Sequence, residues 1–122
     1  MNNPTPTAIG TRRRLRSLQW IGYSPDRLAA AGGLDRDDVT AGLRGETLPA
    51  GTRAQIAALW DVLHVRPEPP TPLAKAMHRE AIQAGFPSPF AWDSETIDSP
   101  TTRPEGVTQG RDRSPWASPP AA

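Results

Sequence analysis

The sequence predicts an all-α fold of four to five short helices with a disordered proline-rich C-terminal tail, and three observations carry that prediction. Apolar residues recur at helical spacing, as at Leu15, Leu18 and Ile21, and again at Ile56, Leu59, Trp60 and Leu63. Several of these runs open on a residue able to cap a helix (Thr11, Ser24, Asp35) and close on glycine (Gly22, Gly33, Gly45). The fifteen prolines are segregated, with two between Thr11 and Val65 and eleven from Arg66 to Ala122. A stretch so rich in proline and poor in aromatic residues buries too little surface to offset its ordering entropy. The foldable part is therefore read as about the first 65 residues plus one appended helix, a size at which helical domains commonly fold alone.

Residues 1–8 read as a disordered lead. The first helix is expected from Thr11 to Ile21, with Arg12, Arg13 and Arg16 on its polar faces. Those arginines are either a phosphate-contacting stripe or a solvated helix face. Ser24 caps a second helix whose first position, Pro25, lacks only an N–H that would be unpaired anyway. Asp35 caps a third, and Asp37 and Asp38 sit in its first turn, where the helix dipole favours anions. Pro49 starts a longer fourth helix, in which Trp60, like Tyr23 earlier, reads as core. Arg66 to Pro70 reads as a stiff linker. Pro72 to Ala84 can form one more helix with Leu73, Ala76 and Met77 on one side. Gly85 to Trp92 is extended and aromatic, and is expected to pack back on the helices, the alternative being a short linear peptide that docks on a partner. Trp116 has no assignment at this level.

Composition bounds the chemistry. With no cysteine, disulfides, thiolate zinc sites and a cysteine nucleophile are excluded. No apolar run approaches the ~18 residues that a membrane span needs, and no signal peptide is evident, so a soluble cytoplasmic chain is expected. The net charge of +1 is unevenly spread: residues 1–66 hold nine arginines against six acids, and residues 93–122 are net acidic. The first half is thus the candidate polyanion binder. His64 and His78 fall on different helices without a zinc-like pattern, so neither metal nor cofactor is expected. Asp93, Glu95 and Asp98 lie in the predicted tail. With no nucleophile–base pair and no phosphate-binding glycine loop, the chain reads as not an enzyme, with no small-molecule substrate evident.

The informative stretch is Gly22 to Gly45. Two short helices meet at Gly33, a residue tolerant of positive φ, and the small Ala29 allows them to cross closely. Val39 and Leu43 turn inward, so Arg36, Asp37, Thr40, Ala41 and Arg44 are expected outward. The order Tyr23-Ser24, Leu28-Ala29, Gly33-Leu34, Arg36, Val39, Leu43-Arg44-Gly45 resembles the lambda-repressor and Cro type of helix-turn-helix. Gly10 to Leu15, Thr52-Arg53, Ile56, Leu59-Trp60-Asp61 and Leu63 extend the likeness to small regulators of high-GC actinobacteria and their phages. So do Gly85 to Asp93 and Thr96-Ile97-Asp98.

The residues are read as a helix-turn-helix domain over 9–66, with 67–92 holding linker, extra helix and aromatic segment, and 93–122 a disordered tail; the likeness spans about residues 9–98. It implies sequence-specific binding of double-stranded DNA by a small transcriptional regulator. Arg36, Asp37 and Thr40 would face base edges, and Arg44, Thr47 and Arg53 would lie near phosphates. Such domains often bind as homodimers on two half-sites, and the Leu73, Ala76 and Met77 side is the candidate dimer surface. Asp35, Asp37 and Asp38 place three carboxylates at the tip of the reading helix. A protein-interaction adaptor on the same fold, with little or no DNA binding, is the alternative reading.

Overall fold

The computed structural model describes residues 6–104 and 115–116. Among them run α1 (Ala8–Trp20), α2 (Pro25–Gly32), α3 (Arg36–Leu43), α4 (Ala50–Leu63), α5 (Pro72–Ala84) and a 3₁₀ turn at Pro89–Ala91, with no strand. The all-α class is as the sequence predicts, and so are the caps of α2 and α3. The Ser24 hydroxyl accepts from the Arg27 N–H at 3.1 Å and the Asp35 carboxylate from the Asp37 N–H at 3.2 Å. Thr71 does the same for α5, accepting from the Ala74 N–H. Helix α1 starts earlier than predicted. Its cap is Thr7, which accepts from the Gly10 N–H at 2.9 Å, while Thr11 lies inside the helix and is buried. Thr7 and Ala8 thus belong to the fold, and residues 1–5 lie outside the described residues.

Helix α1 is the centre. Helices α3, α4 and α5 and the 3₁₀ turn all pack against it. Leu15, Leu18 and Ile21 on α1 and its end meet Leu28, Val39, Ile56 and Trp60 in one cluster. Fully burying an aliphatic side chain of this kind is worth about 1.5–3 kcal/mol. Trp60 needs a partner for its ring N–H in that interior. It donates to the Ser17 hydroxyl at 2.9 Å, and Ser17 donates to the Arg14 carbonyl.

The boundary expected at Asp93 falls inside this unit. Ala91, Trp92 and Ile97 belong to the same core as Leu15. Asp98 accepts both Arg14 terminal nitrogens at 2.9 Å, one on each oxygen, and the Thr7 N–H at 2.9 Å as well. Arg13 donates to the carbonyls of Ile97, Ser99 and Thr102 and lies 4.4 Å above the Trp92 ring. Composition alone marks this stretch as unable to fold. What holds it is a row of arginine donors on α1 together with one buried isoleucine. Residues 105–114 and 117–122 of the predicted tail lie outside the described residues.

The 66–70 linker is docked too. Glu68 donates its N–H to the Ile21 carbonyl, and the Tyr23 hydroxyl donates to the Arg66 carbonyl. Helix α5 turns Ala74 and Ala81 inward, not Leu73, Ala76 and Met77, and Leu73 is 57% exposed. Alanines at i and i+7 let α5 lie close along α1, where Gln19 donates to the Met77 carbonyl. Helix α5 thus packs on α1 through its alanines and leaves Leu73 in the open. Phe86 packs on the core as predicted for the aromatic segment, but Phe90 faces solvent.

Burial pushes the Asp98 carboxyl up, but hydrogen bonds from Arg14 and Thr7 together with the Arg14 charge outweigh it and hold it below the usual aspartate value. A depressed carboxyl contributes stability in full above its unfolded value, about 3.9, and loses it as pH falls through the native value. Asp98→Ala leaves Arg14 as an uncompensated buried charge, so a cost of about 3–5 kcal/mol is expected in urea unfolding at pH 7. Acidification from pH 6 to 2.5 is expected to cost wild type more than this variant. Ending the chain after Trp92 is expected to destabilise at least as much as Asp98→Ala.

Candidate nucleic-acid interface

The α2–turn–α3 unit stands at one side of the core, and its geometry follows from two glycines. Gly33 adopts φ +63° at the end of α2, where the turn requires a left-handed residue, and nothing lies within 4 Å of where its side chain would be. The next N–H, from Leu34, donates back to the Ala29 carbonyl and closes the turn. Gly42 has a different task. A Cβ there would come within 2.5 Å of Leu15 and 3.1 Å of Leu48, so only a bare backbone lets α3 lie this close to α1 and Leu48. Sequence reasoning passed over Gly42. A glycine inside a helix, where it costs about 1 kcal/mol relative to alanine, was the available signal.

Val39 is fully buried beneath α3, and the opposite side is open. Arg36 and Asp37 are exposed in its first turn, and Thr40 follows, half-buried, one turn on. The Thr40 hydroxyl donates to the Asp37 carbonyl at 3.0 Å, within reach of the Arg36 carbonyl as well. Arg36 pairs with Asp26 of α2, the two side chains being 58% and 76% exposed. Arg44 pairs with Glu46 just past the helix, also in the open, and Thr47 is exposed beside them. Five of the six residues predicted for the interface are therefore brought to α3 or the loop after it. Ala41, expected outward, instead packs on the core.

Arg53 stands apart on α4. Its Nε donates to the Pro6 carbonyl at 2.6 Å and one terminal nitrogen donates to the Leu48 carbonyl. It ties two loops to the start of α4. The arginines of α1 divide similarly. Arg13 and Arg14 hold residues 97–102, and Arg16 donates to the Leu43 carbonyl at the end of α3 while lying 4.8 Å above Phe86. They form neither a phosphate stripe nor a solvated face. Arg13 and Arg16 are each pushed below the ordinary arginine value, first by burial and then by the charge of Arg12, and a guanidinium remains charged in either case. Arg12 lies against Gly45, with no ion-pair partner among the described residues.

Of the acidic tip, Asp35 caps α3 and Asp26 takes Arg36, while Asp37 is exposed and Asp38 half-buried. The two histidines brace tryptophans: His64 stacks on Trp60 at 4.1 Å and His78 stands edge-on to Trp20 at 4.7 Å. No protein-family model, curated protein or solved structure matches the chain significantly.

Gly33→Ala is expected to cost about 1–2 kcal/mol, all of it backbone strain, since there is space for the methyl group. Gly42→Val is expected to cost about 1–3 kcal/mol by overpacking against Leu15. Urea unfolding measures both. Loss of the near-ultraviolet tryptophan signal is expected to accompany the second substitution only.

Proposed function

We propose that this chain binds double-stranded DNA through the open side of α3, as a small sequence-specific transcriptional regulator. The observation that carries the reading is that α1 and α2 hold α3 with Arg36, Asp37 and Thr40 turned away from the core at its leading end. An eight-residue helix is about 12 Å long and narrow enough to enter a major groove. Arg36 can bond a guanine edge bidentately, Asp37 can accept from cytosine, and Thr40 can touch a thymine methyl.

The state of each arginine decides how it can serve. Arg36 and Arg44 are held by exposed pairs, which are worth no more than about 1 kcal/mol and are readily exchanged for a base or a phosphate. Arg13, Arg14 and Arg53 hold the fold together, and releasing them would undo it. The phosphate contacts in this reading are therefore Arg44, Thr47 and Arg12, with Arg53 left out. A homodimer spanning two half-sites belongs to the same proposal. The second reading, an adaptor for another protein, is favoured by one observation: Asp26, Asp35 and Asp37 all lie exposed around the same tip.

Fluorescence anisotropy with duplex DNA across a salt series separates the two. With two cationic phosphate contacts per chain, Arg44 and Arg12, log K is expected to fall with log salt at a slope of about −2 per protomer. Arg44→Ala is expected to make that slope about 1 shallower. Selection from random duplexes is expected to enrich one motif, and Arg36→Ala or Thr40→Ala to relax it at one position. Absence of any salt-dependent binding would reject DNA as the partner in favour of the adaptor.

A further inference from the structure

Where α1 gives way to α2, and the start of α5 comes alongside, the fold forms a seat for an indole. A Cβ on Gly22 would come within 2.9 Å of the Trp116 ring and 3.0 Å of the Ala74 methyl. The Trp116 ring N–H donates to the Glu68 carbonyl. Its ring meets His78 edge to face with centroids 5.6 Å apart. His78 is itself fixed, since its Nδ1–H donates to the Trp20 carbonyl and its ring stands edge-on to Trp20.

Two further observations separate this contact from ordinary core packing. First, the walls of the seat are also held by bonds of their own. Glu68 donates its N–H to the Ile21 carbonyl, its carboxylate holds Arg27 at 3.0 Å, and the Gly22 N–H donates to the Gln19 carbonyl. None of these three bonds involves the indole. Second, an open groove of about 290 Å³ shares Gly22, Glu68 and Ala74 with the seat and is lined further by Arg27 and the exposed Leu73. A groove beside an indole seat, lined by Ala30, Leu73 and Ala74 together with Ser24, Arg27 and Glu68, offers the mixed apolar and polar contacts that a peptide site needs. Trp116 is only half-buried and stands outside the hydrophobic core.

We infer that this groove is a docking site for a proline-flanked tryptophan peptide, occupied in this chain by its own Pro115–Trp116 segment. Ten residues, 105–114, join that segment to the rest of the described fold. The fixed φ of Pro115 lowers the entropy lost when the indole seats. The site is independent of the open side of α3 and of any reading of it.

The test uses the full-length chain carrying Trp116→Ala, titrated calorimetrically with the synthetic peptide Ser-Pro-Trp-Ala-Ser. The peptide is expected to bind this variant at least about threefold more tightly than wild type, because the tethered segment competes in wild type. The same peptide with alanine in place of tryptophan is expected not to bind. Ala74→Val, added to Trp116→Ala, fills the seat and is expected to abolish binding while the helical circular dichroism is kept. Absence of binding to Trp116→Ala at millimolar peptide, equal binding of the alanine peptide, or binding retained in the folded Ala74→Val variant would each overturn the site. If Ala74→Val loses its helix signal, the alanine peptide decides alone. A wild-type dimer that Trp116→Ala converts to monomer in sedimentation would place the indole in a second copy and overturn the assignment to its own chain.

Discussion

A guanidinium with only 6% of its side chain exposed must find its counter-charge inside the fold, and Arg14 finds it in Asp98, eighty-four residues later. Removing two charges from water is costly, and their attraction offsets that cost only when geometry and further hydrogen bonds are good. Here the pairing is bidentate, and Thr7 supplies another donor from the cap of α1. One carboxylate thus fixes the start of the central helix and the end of the segment that wraps it. Gly10 makes this possible, because a Cβ there would fall on the carboxylate itself.

The same economy of donors runs through α1. Arginines at 13, 14 and 16 each reach a different part of the chain: three carbonyls after Trp92, the Asp98 carboxylate, and the last carbonyl of α3. Unpaired carbonyls in irregular backbone are costly when shielded from water, and a guanidinium with five donors in a fixed fork satisfies several at once. A basic run that looks like a nucleic-acid contact in a one-dimensional reading is, in three dimensions, the set of clamps that lets a proline-rich segment fold against a small helical core.

That redistribution bears directly on the candidate interface. With most arginines of the first half occupied, the open side of α3 relies on few charges, and these stand near carboxylates. Arg36 and Arg44 are weakly held and can exchange partners, while Asp35 directs its charge into capping. The proposed DNA contact would therefore rest on a handful of side chains at one helix tip.

Much of this was legible from residue order. The starts of α2 and α3 follow from Ser24 and Asp35 with their neighbouring proline and acids, because capping is a local exchange between a side chain and the next few N–H groups. The turn at Gly33 follows from the sterics of a single residue, and the inward placement of Val39, Ile56 and Trp60 from helical periodicity. These properties are set within one or two turns of chain, so sequence alone determines them. Tertiary structure decided the rest. Which arginines are free, which face of α5 is covered, where the folded unit ends and what Trp116 touches all depend on partners 27 to 89 residues away. No local pattern encodes such pairings, because they exist only once the helices have placed a donor beside an acceptor that the chain reaches much later.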